Sequence, residues 1–380
     1  MTKKIIFIFL LAIVNSYAQK EVDVTKIDKN MTVSKVKTDG TKWFSPKEAP
    51  FRLQGFKWIQ EDTIYRRLPV NPKNIIIPSK VNILANHTSG GQIHFKSNSK
   101  NIIIRVKLKS SRPMYHMTQV AKQGFDLYVG GPHNKLFNSS TKFKYTAKEY
   151  TSKLYYNSKR DMKEYTINFP LYNGVESIFI GLDENAKLQA PSPLENKKSI
   201  IIYGTSITQG GCASRPGMSY PNILSRKLNT EVVNLGFSGS GNGEPEIAEL
   251  INKIDDKSLV IVDIECNTHE SLRKVLKPFI ETFRKEDKKT PLLIISRTIL
   301  ARDQHSKYLK QRNALKEFQK NLVGQFKDQG DKNIYFLDGS TLLKPEWAHE
   351  ATVDGTHMTD LGFLMMAEAI EPHITKILNE

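Results

Sequence analysis

Four short stretches in the second half of the chain place reactive or donor groups at the ends of apolar runs. Gly204-Thr205-Ser206-Ile207-Thr208 directly follows the run Ser199–Tyr203. A serine hydroxyl at such a turn can point into a crevice, with backbone N–H groups facing a developing oxyanion. Asn234-Leu235-Gly236-Phe237-Ser238-Gly239-Ser240-Gly241 ends a second run, and glycine there lets the backbone approach a ligand and donate its N–H. Asp263-Ile264-Glu265-Cys266-Asn267 ends a third, where the Asn267 side-chain amide can donate another hydrogen bond. Val353-Asp354-Gly355-Thr356-His357 precedes the last amphipathic segment. A carboxylate three residues before an imidazole can accept from its Nδ1–H and fix the tautomer. Nε2 is then free to take a proton from a serine. Singly, each stretch has an ordinary reading: a flexible turn, a polar residue closing a strand, a solvated loop histidine. In this order they suit nucleophilic acyl transfer.

The elements that must position these groups follow from periodicity. From Ser199 onward, strands are expected at Ser199–Tyr203, Glu231–Leu235, Leu259–Ile264, Pro291–Ser296 and Asn333–Leu337. Helices are expected at Tyr220–Leu228, Pro245–Ile254, Ser271–Lys285, Lys307–Lys327 and Leu361–Leu378. Near-continuously apolar strands alternating with helices predict a parallel five-stranded sheet covered on both faces, in a doubly wound α/β fold. Such sheets place their sites beyond the carboxyl ends of the strands, which is where all four stretches fall. The first half reads differently. Alternating or β-branched runs at Val81–His87, Gln92–Phe95, Ile102–Leu108, Phe125–Val129, Thr141–Tyr145, Tyr165–Phe169 and Ser177–Leu182 are separated by Gly, Pro and Asn turns. That spacing predicts an antiparallel β-sandwich with no strong helix. Leu188–Lys198, with Pro191 and Pro193, reads as the joint. The expected organisation is residues 1–18 as a leader, 19–195 as the sandwich and 196–380 as the α/β domain.

Gly204-Thr205-Ser206, Gly239, Asn267 and Asp354-x-x-His357 together resemble the SGNH (GDSL-type) hydrolase superfamily over about residues 196–380. The resemblance implies a flavodoxin-like core, Ser206 as nucleophile and Asp354 and His357 completing the triad. It also implies an oxyanion hole made of the Ser206 N–H, the Gly239 N–H and the Asn267 amide. The sequence departs from the family pattern at Thr205 and Thr268, where Asp is usual, and neither position supplies a triad group. Gly124-Phe125-Asp126-Leu127-Tyr128 resembles the Gly-x-Asp-Leu-Tyr signature of a jelly-roll-like sandwich found ahead of some SGNH hydrolases. Several relatives of that layout are carbohydrate esterases, so the resemblance implies an exported esterase.

Composition narrows the classes. With 39% hydrophobic residues, the 380-residue chain can bury two cores. Lys3 and Lys4, the apolar stretch Ile5–Val14 and Ser16-Tyr17-Ala18 have the layout of a cleavable secretory leader rather than a membrane anchor. The net charge of +17 is uneven. Residues 19–195 carry 29 Lys and Arg against 15 Asp and Glu, whereas residues 196–380 carry 25 against 24. A basic sandwich would draw in polyanions or serve only solubility. The expected substrate is an acylated glycan, anionic ones included, with acetyl the simplest acyl group. A lipase or lysophospholipase is the rival within enzymes, and a glycan-binding protein with an idle hydrolase domain the rival outside them. No nucleic-acid recognition motif accompanies the charge. The nine His and two Cys show no zinc-ligand spacing, and Gly236–Gly243 lacks the lysine of a phosphate loop. The chemistry therefore calls for no metal or cofactor. Cys212 and Cys266 read either as a disulfide or as buried thiols, because sequence alone cannot bring the two sulfurs together.

Overall fold

The computed structural model describes residues 22–380; the expected leader, residues 1–18, lies outside them. Residues 22–35 belong to a unit of their own, in which Val24–Ile27 is a single helical turn capped by the Asp23 carboxylate. Residues 36–380 form one compact unit. Among the described residues, no helix is long and apolar enough to cross a membrane.

The first half of the compact unit is built from ten strands. They are β1 (Thr41–Phe44), β2 (Arg52–Gln54), β3 (Gln92–Ser97), β4 (Asn101–Leu108), β5 (Asp126–Val129), β6 (Leu136–Ser140), β7 (Glu149–Tyr156), β8 (Lys163–Asn168), β9 (Val175–Asp183) and β10 (Leu188–Gln189). One sheet has the order β1-β9-β4-β7 and the other β10-β3-β8-β5-β6, with β2 on β3, all antiparallel. Alternation sets the faces: Ile102, Ile104, Val106 and Leu108 are buried while Arg105 and Lys107 are exposed. The inward set packs on Ile93, Phe95 and Ile167 of the facing sheet.

Two of the expected strands are absent. Ser79–Leu84 is a helix, not part of a strand over Val81–His87. Its buried residue Val81 and the buried Ala85 that caps it stand four apart, at helical spacing, and Ile83 points to solvent. The edge strand is Leu136–Ser140 rather than Thr141–Tyr145, and it exposes Leu136 and Phe137. Strand β7 shows no clean alternation and was missed, as was the short helix Gln119–Gln123, capped by the Thr118 hydroxyl.

The second half matches expectation closely. Strands β11 (Asn196–Gly204), β12 (Thr230–Gly236), β13 (Lys257–Asp263), β14 (Leu292–Ile295) and β15 (Ile334–Leu337) form a wholly parallel sheet in the order β12-β11-β13-β14-β15. Ile201 and Tyr203 face the helices Pro245–Asn252, Leu272–Glu286 and Ser306–Asp328. Ile200 and Ile202 face Tyr220–Leu228 and Asp360–Asn379. Burial on both faces explains the unbroken apolar runs. Gly204 stands in register with Gly236 on one side and Asp263 on the other. The three segments that follow therefore leave the sheet side by side at its carboxyl edge, where strand order reverses around β11.

Pairing changes from antiparallel to parallel between Gln189 and Asn196, yet the halves interlock. Arg67, fully buried, donates to the carbonyls of Leu84 and His87 in its own half and to those of Asn234 and Gly236 at the end of β12. Ser89 Oγ donates to the Gln209 carbonyl at 2.7 Å and accepts from Asn234 Nδ2 at 3.0 Å.

Candidate active site

Ser206 is the first residue of the single helical turn Ser206–Gln209 and is 7% exposed. The Thr205 hydroxyl caps that turn by accepting from the Ile207 N–H at 3.3 Å, a task the usual Asp could equally perform. On the loop after β15, Asp354 Oδ1 accepts the amides of Thr356 at 3.0 Å and His357 at 2.8 Å. Its Oδ2 lies 2.7 Å from His357 Nδ1. An ionised carboxylate can only accept, so Nδ1 carries the proton. His357 Nε2 is then the free base, and it lies 2.9 Å from Ser206 Oγ. Burial would raise the Asp354 carboxyl, but hydrogen bonds from the His357 amide and imidazole and the Thr356 amide hold it below its ordinary range. This arrangement can take a proton from Ser206 while keeping the resulting imidazolium paired with a carboxylate.

Gly239 adopts φ +63°, and the position a Cβ would occupy is open for 4 Å around. Gly241 is different: a Cβ there would lie 1.9 Å from the Gly204 carbonyl, so only glycine lets this loop pack against the strand end behind Ser206. Asn267 Nδ2 donates to the carbonyls of Phe237 at 3.3 Å and Gly241 at 3.2 Å. The amide thus braces the Gly239 loop, and both bonds are long. Thr268, the second departure from the family pattern, bonds back to the Ile264 carbonyl at 3.1 Å.

Several residues at the site were not found from sequence, and all come from the first half. Tyr172 donates to the Ser206 carbonyl at 3.2 Å. The His116 ring stands edge-on to His357, with centroids 5.4 Å apart, and Tyr115 stacks flat on His116 at 4.2 Å. Asp126, buried, accepts from Asn168 Nδ2 at 2.7 Å, Arg215 Nη1 at 3.0 Å and the Gly217 N–H at 2.8 Å. It fastens strand β5 to the loop that follows Ser206. The sequence signal in this group was the Gly-x-Asp-Leu-Tyr stretch Gly124–Tyr128, which contains Asp126 but assigns it no role at the site. Cys212 and Cys266 are free thiols. Burial, and then the negative charge of Asp354, push the Cys212 thiol up to about 12.

Asp263, at the end of β13, accepts from Thr208 Oγ1 and Tyr220 Oη, each at 3.3 Å. Burial outweighs these bonds and raises its carboxyl from 3.8 to about 6. Between pH 4 and 6 the folded protein therefore keeps a proton that the unfolded chain releases. Asp263 favours folding at the acid end, and this contribution is lost as pH rises through about 6. Asp263→Asn removes that dependence. Relative to wild type, its unfolding free energy should fall by about 2–3 kcal/mol less between pH 4 and 7, at 1.36 kcal/mol per pKa unit. Chemical denaturation at the two pH values measures the difference, and equal pH dependence in both proteins refutes it.

Residues 197–375 match the family of GDSL-like lipases and acylhydrolases, and residues 41–188 match the GxDLY family, the N-terminus of SGNH-hydrolase-type esterases. The chain belongs to the SGNH (GDSL-type) hydrolase superfamily and is an esterase of that class. Within it, the chain falls in the subfamily that carries a Gly-x-Asp-Leu-Tyr sandwich ahead of the catalytic domain. A protein from Bacteroides ovatus ATCC 8483 described as a GDSL-like lipase is similar over 89% of this chain and 98% of its own, at 29% identity and a TM-score of 0.81. A salicylyl-acyltransferase from a tetracycline biosynthetic pathway shares the fold over 90% and 98% of the two chains, at 18% identity and a TM-score of 0.71. A family two carbohydrate esterase from Clostridium thermocellum, solved with cellohexaose, shares it over 77% and 93%, at 17% identity and a TM-score of 0.55. No curated protein matches the chain.

Proposed function

We propose that this protein is an exported carbohydrate O-acetylesterase that works by a Ser-His-Asp mechanism. The observation that carries the reading is the unbroken relay from Ser206 Oγ through His357 to Asp354. His357 takes the Ser206 proton as Oγ attacks the ester carbonyl, then gives it to the departing sugar oxygen, which leaves as a hydroxyl. Water activated by the same imidazole releases the acetyl group from the acyl-enzyme. The Ser206 and Gly239 N–H groups and the Asn267 amide hold the oxyanion. Asn267 meets it by exchanging one of its long bonds to a neutral carbonyl for a shorter bond to a charged oxygen, which is the stronger interaction.

The glycan part of the reading is supported by Tyr115. This tyrosine is 91% exposed and rests on His116 beside the catalytic imidazole, a flat amphipathic face suited to a pyranose ring. For anionic glycans, a cleft of about 270 Å³ lined by His133, Lys135, Arg226, Lys227 and Glu371 offers an excess of cations. The test is a panel of acetylated polysaccharides, p-nitrophenyl acetate and long-chain esters, with wild type beside Ser206→Ala. Acetyl esters should be preferred, and turnover of long-chain esters above acetyl esters would establish a lipase instead. The full chain should also lose apparent affinity for acidic acetylated glycans as salt rises, while p-nitrophenyl acetate is unaffected.

Asn267→Ala should lower kcat by about 10²–10³ with little change in KM. Its two bonds to carbonyls are long, so the melting temperature should move by only a few degrees. A purely bracing Asn267 gives the opposite pair of results.

A further inference from the structure

We propose that the mouth of the active site is also a binding site for a thiophilic divalent cation such as Zn²⁺, formed by His116, Cys212, Asp354 and His357, and that the bound cation switches hydrolysis off. Each of the four side chains offers one ligand atom, and these atoms all lie within 4.8 Å of one another. Among the described residues, no other group of three or more His, Cys, Asp and Glu side chains comes together in this way. Two imidazoles, a thiol and a carboxylate are the ligand types of tetrahedral zinc. Bonds of 2.0–2.3 Å put tetrahedral ligands roughly 3.4–3.8 Å apart, so closing the site requires movements of about 1 Å by side chains that are in part on loops.

Two further observations set these residues apart from a chance meeting of polar groups. His116 Nδ1 is buried and has no hydrogen-bond partner, although buried ring nitrogens are ordinarily paired. Cys212 holds a left-handed backbone, φ +72°, a costly conformation for a side chain with a Cβ. The cluster is assembled from three distant segments: the sandwich loop before the helix Gln119–Gln123, the turn after the nucleophile, and the catalytic loop. Nothing in the spacing of the nine His and two Cys of the sequence shows it.

The consequence for the chemistry is exclusive occupancy. A cation on Asp354 withdraws the acceptor that holds the His357 tautomer, and a cation on His357 takes up the base itself. Binding needs the thiol proton to leave, so it is favoured as pH rises. The binding claim stands on the four side chains alone, whereas the switching claim rests on the catalytic roles proposed above.

Calorimetric titration of the full chain with Zn²⁺ tests the first claim. Wild type and Ser206→Ala should each bind one equivalent, whereas Cys212→Ser and His116→Ala should bind at least tenfold more weakly. Co²⁺ supplies an independent readout, since a thiolate-to-metal charge-transfer band should appear in wild type and be absent from Cys212→Ser. Zn²⁺ should abolish wild-type esterase activity reversibly, with recovery on adding EDTA. Cys212→Ser should stay active at Zn²⁺ concentrations that silence wild type. The proposal is overturned if wild type takes up no stoichiometric Zn²⁺, or if Cys212→Ser binds it as tightly and is inhibited as strongly. If Ser206→Ala binds Zn²⁺ normally while wild type hydrolyses no ester, the cation site stands and the esterase reading falls.

Discussion

Ser206→Ala should lower kcat on an acetyl ester by about 10⁴–10⁶ while leaving the melting temperature within a few degrees of wild type. The change removes a single oxygen atom, whose one side-chain hydrogen bond is to His357, so little packing goes with it. His357→Ala should be about as severe, and the double variant no worse than either, because the pair acts as one unit. Asp354→Asn is the subtler member of the series. Its carbonyl oxygen can still accept the amides of Thr356 and His357, but the NH₂ group then faces His357 Nδ1. That favours the tautomer with the proton on Nε2, and about 10⁴ in kcat should be lost with the fold intact. Steady-state kinetics beside thermal melts separate these outcomes. Wild-type turnover by Ser206→Ala on p-nitrophenyl acetate would end the assignment.

Arg67→Met should destabilise the protein by about 3–5 kcal/mol, the cost of breaking a buried charge site held by four hydrogen bonds to carbonyls. Burial draws the Arg67 guanidinium down to about 9, so it remains charged at neutral pH. The charge is met by carbonyls and by the Phe237 ring, which lies 4.6 Å from the guanidinium carbon. Methionine fills much of the volume but leaves the carbonyls of Leu84, His87, Asn234 and Gly236 without their donor. Arg67→Lys should recover only part of the loss, because a three-proton point donor cannot span four acceptors arranged for a planar fork. Asn234 and Gly236 end the strand that leads into the Gly239 loop, so kcat in the folded fraction should fall as well. Denaturant unfolding should show one transition for wild type, the two halves unfolding together. Two separate transitions, or a loss below about 1 kcal/mol, would show that Arg67 does not join them.

The second half of the chain was legible because its information is local. Ile200, Ile201, Ile202 and Tyr203 are all buried, and an apolar run of that length between helix-period segments has few other solutions. Once the strands were placed, the carboxyl-end rule put Ser206, Gly239, Asn267 and His357 on one edge. The Asp354–His357 pair could be read because its separation is three residues on one loop. The first half was less legible where its elements are short. Val81–His87 is rich in β-branched and apolar residues, and its helical burial at Val81 and Ala85 is imposed by packing against the parallel sheet, with which both residues share a core. Tertiary structure alone decided the remainder. Tyr172 meets Ser206 across 34 positions and Asp126 meets Arg215 across 89, while Arg67 reaches Asn234 across 167. His116 joins Cys212, Asp354 and His357 only when the sandwich is seated. Periodicity reports which face of an element is buried. It carries no record of which distant polar atom waits there, because hydrogen bonds and metal ligation are set by angstrom-scale positions fixed only when both halves pack together.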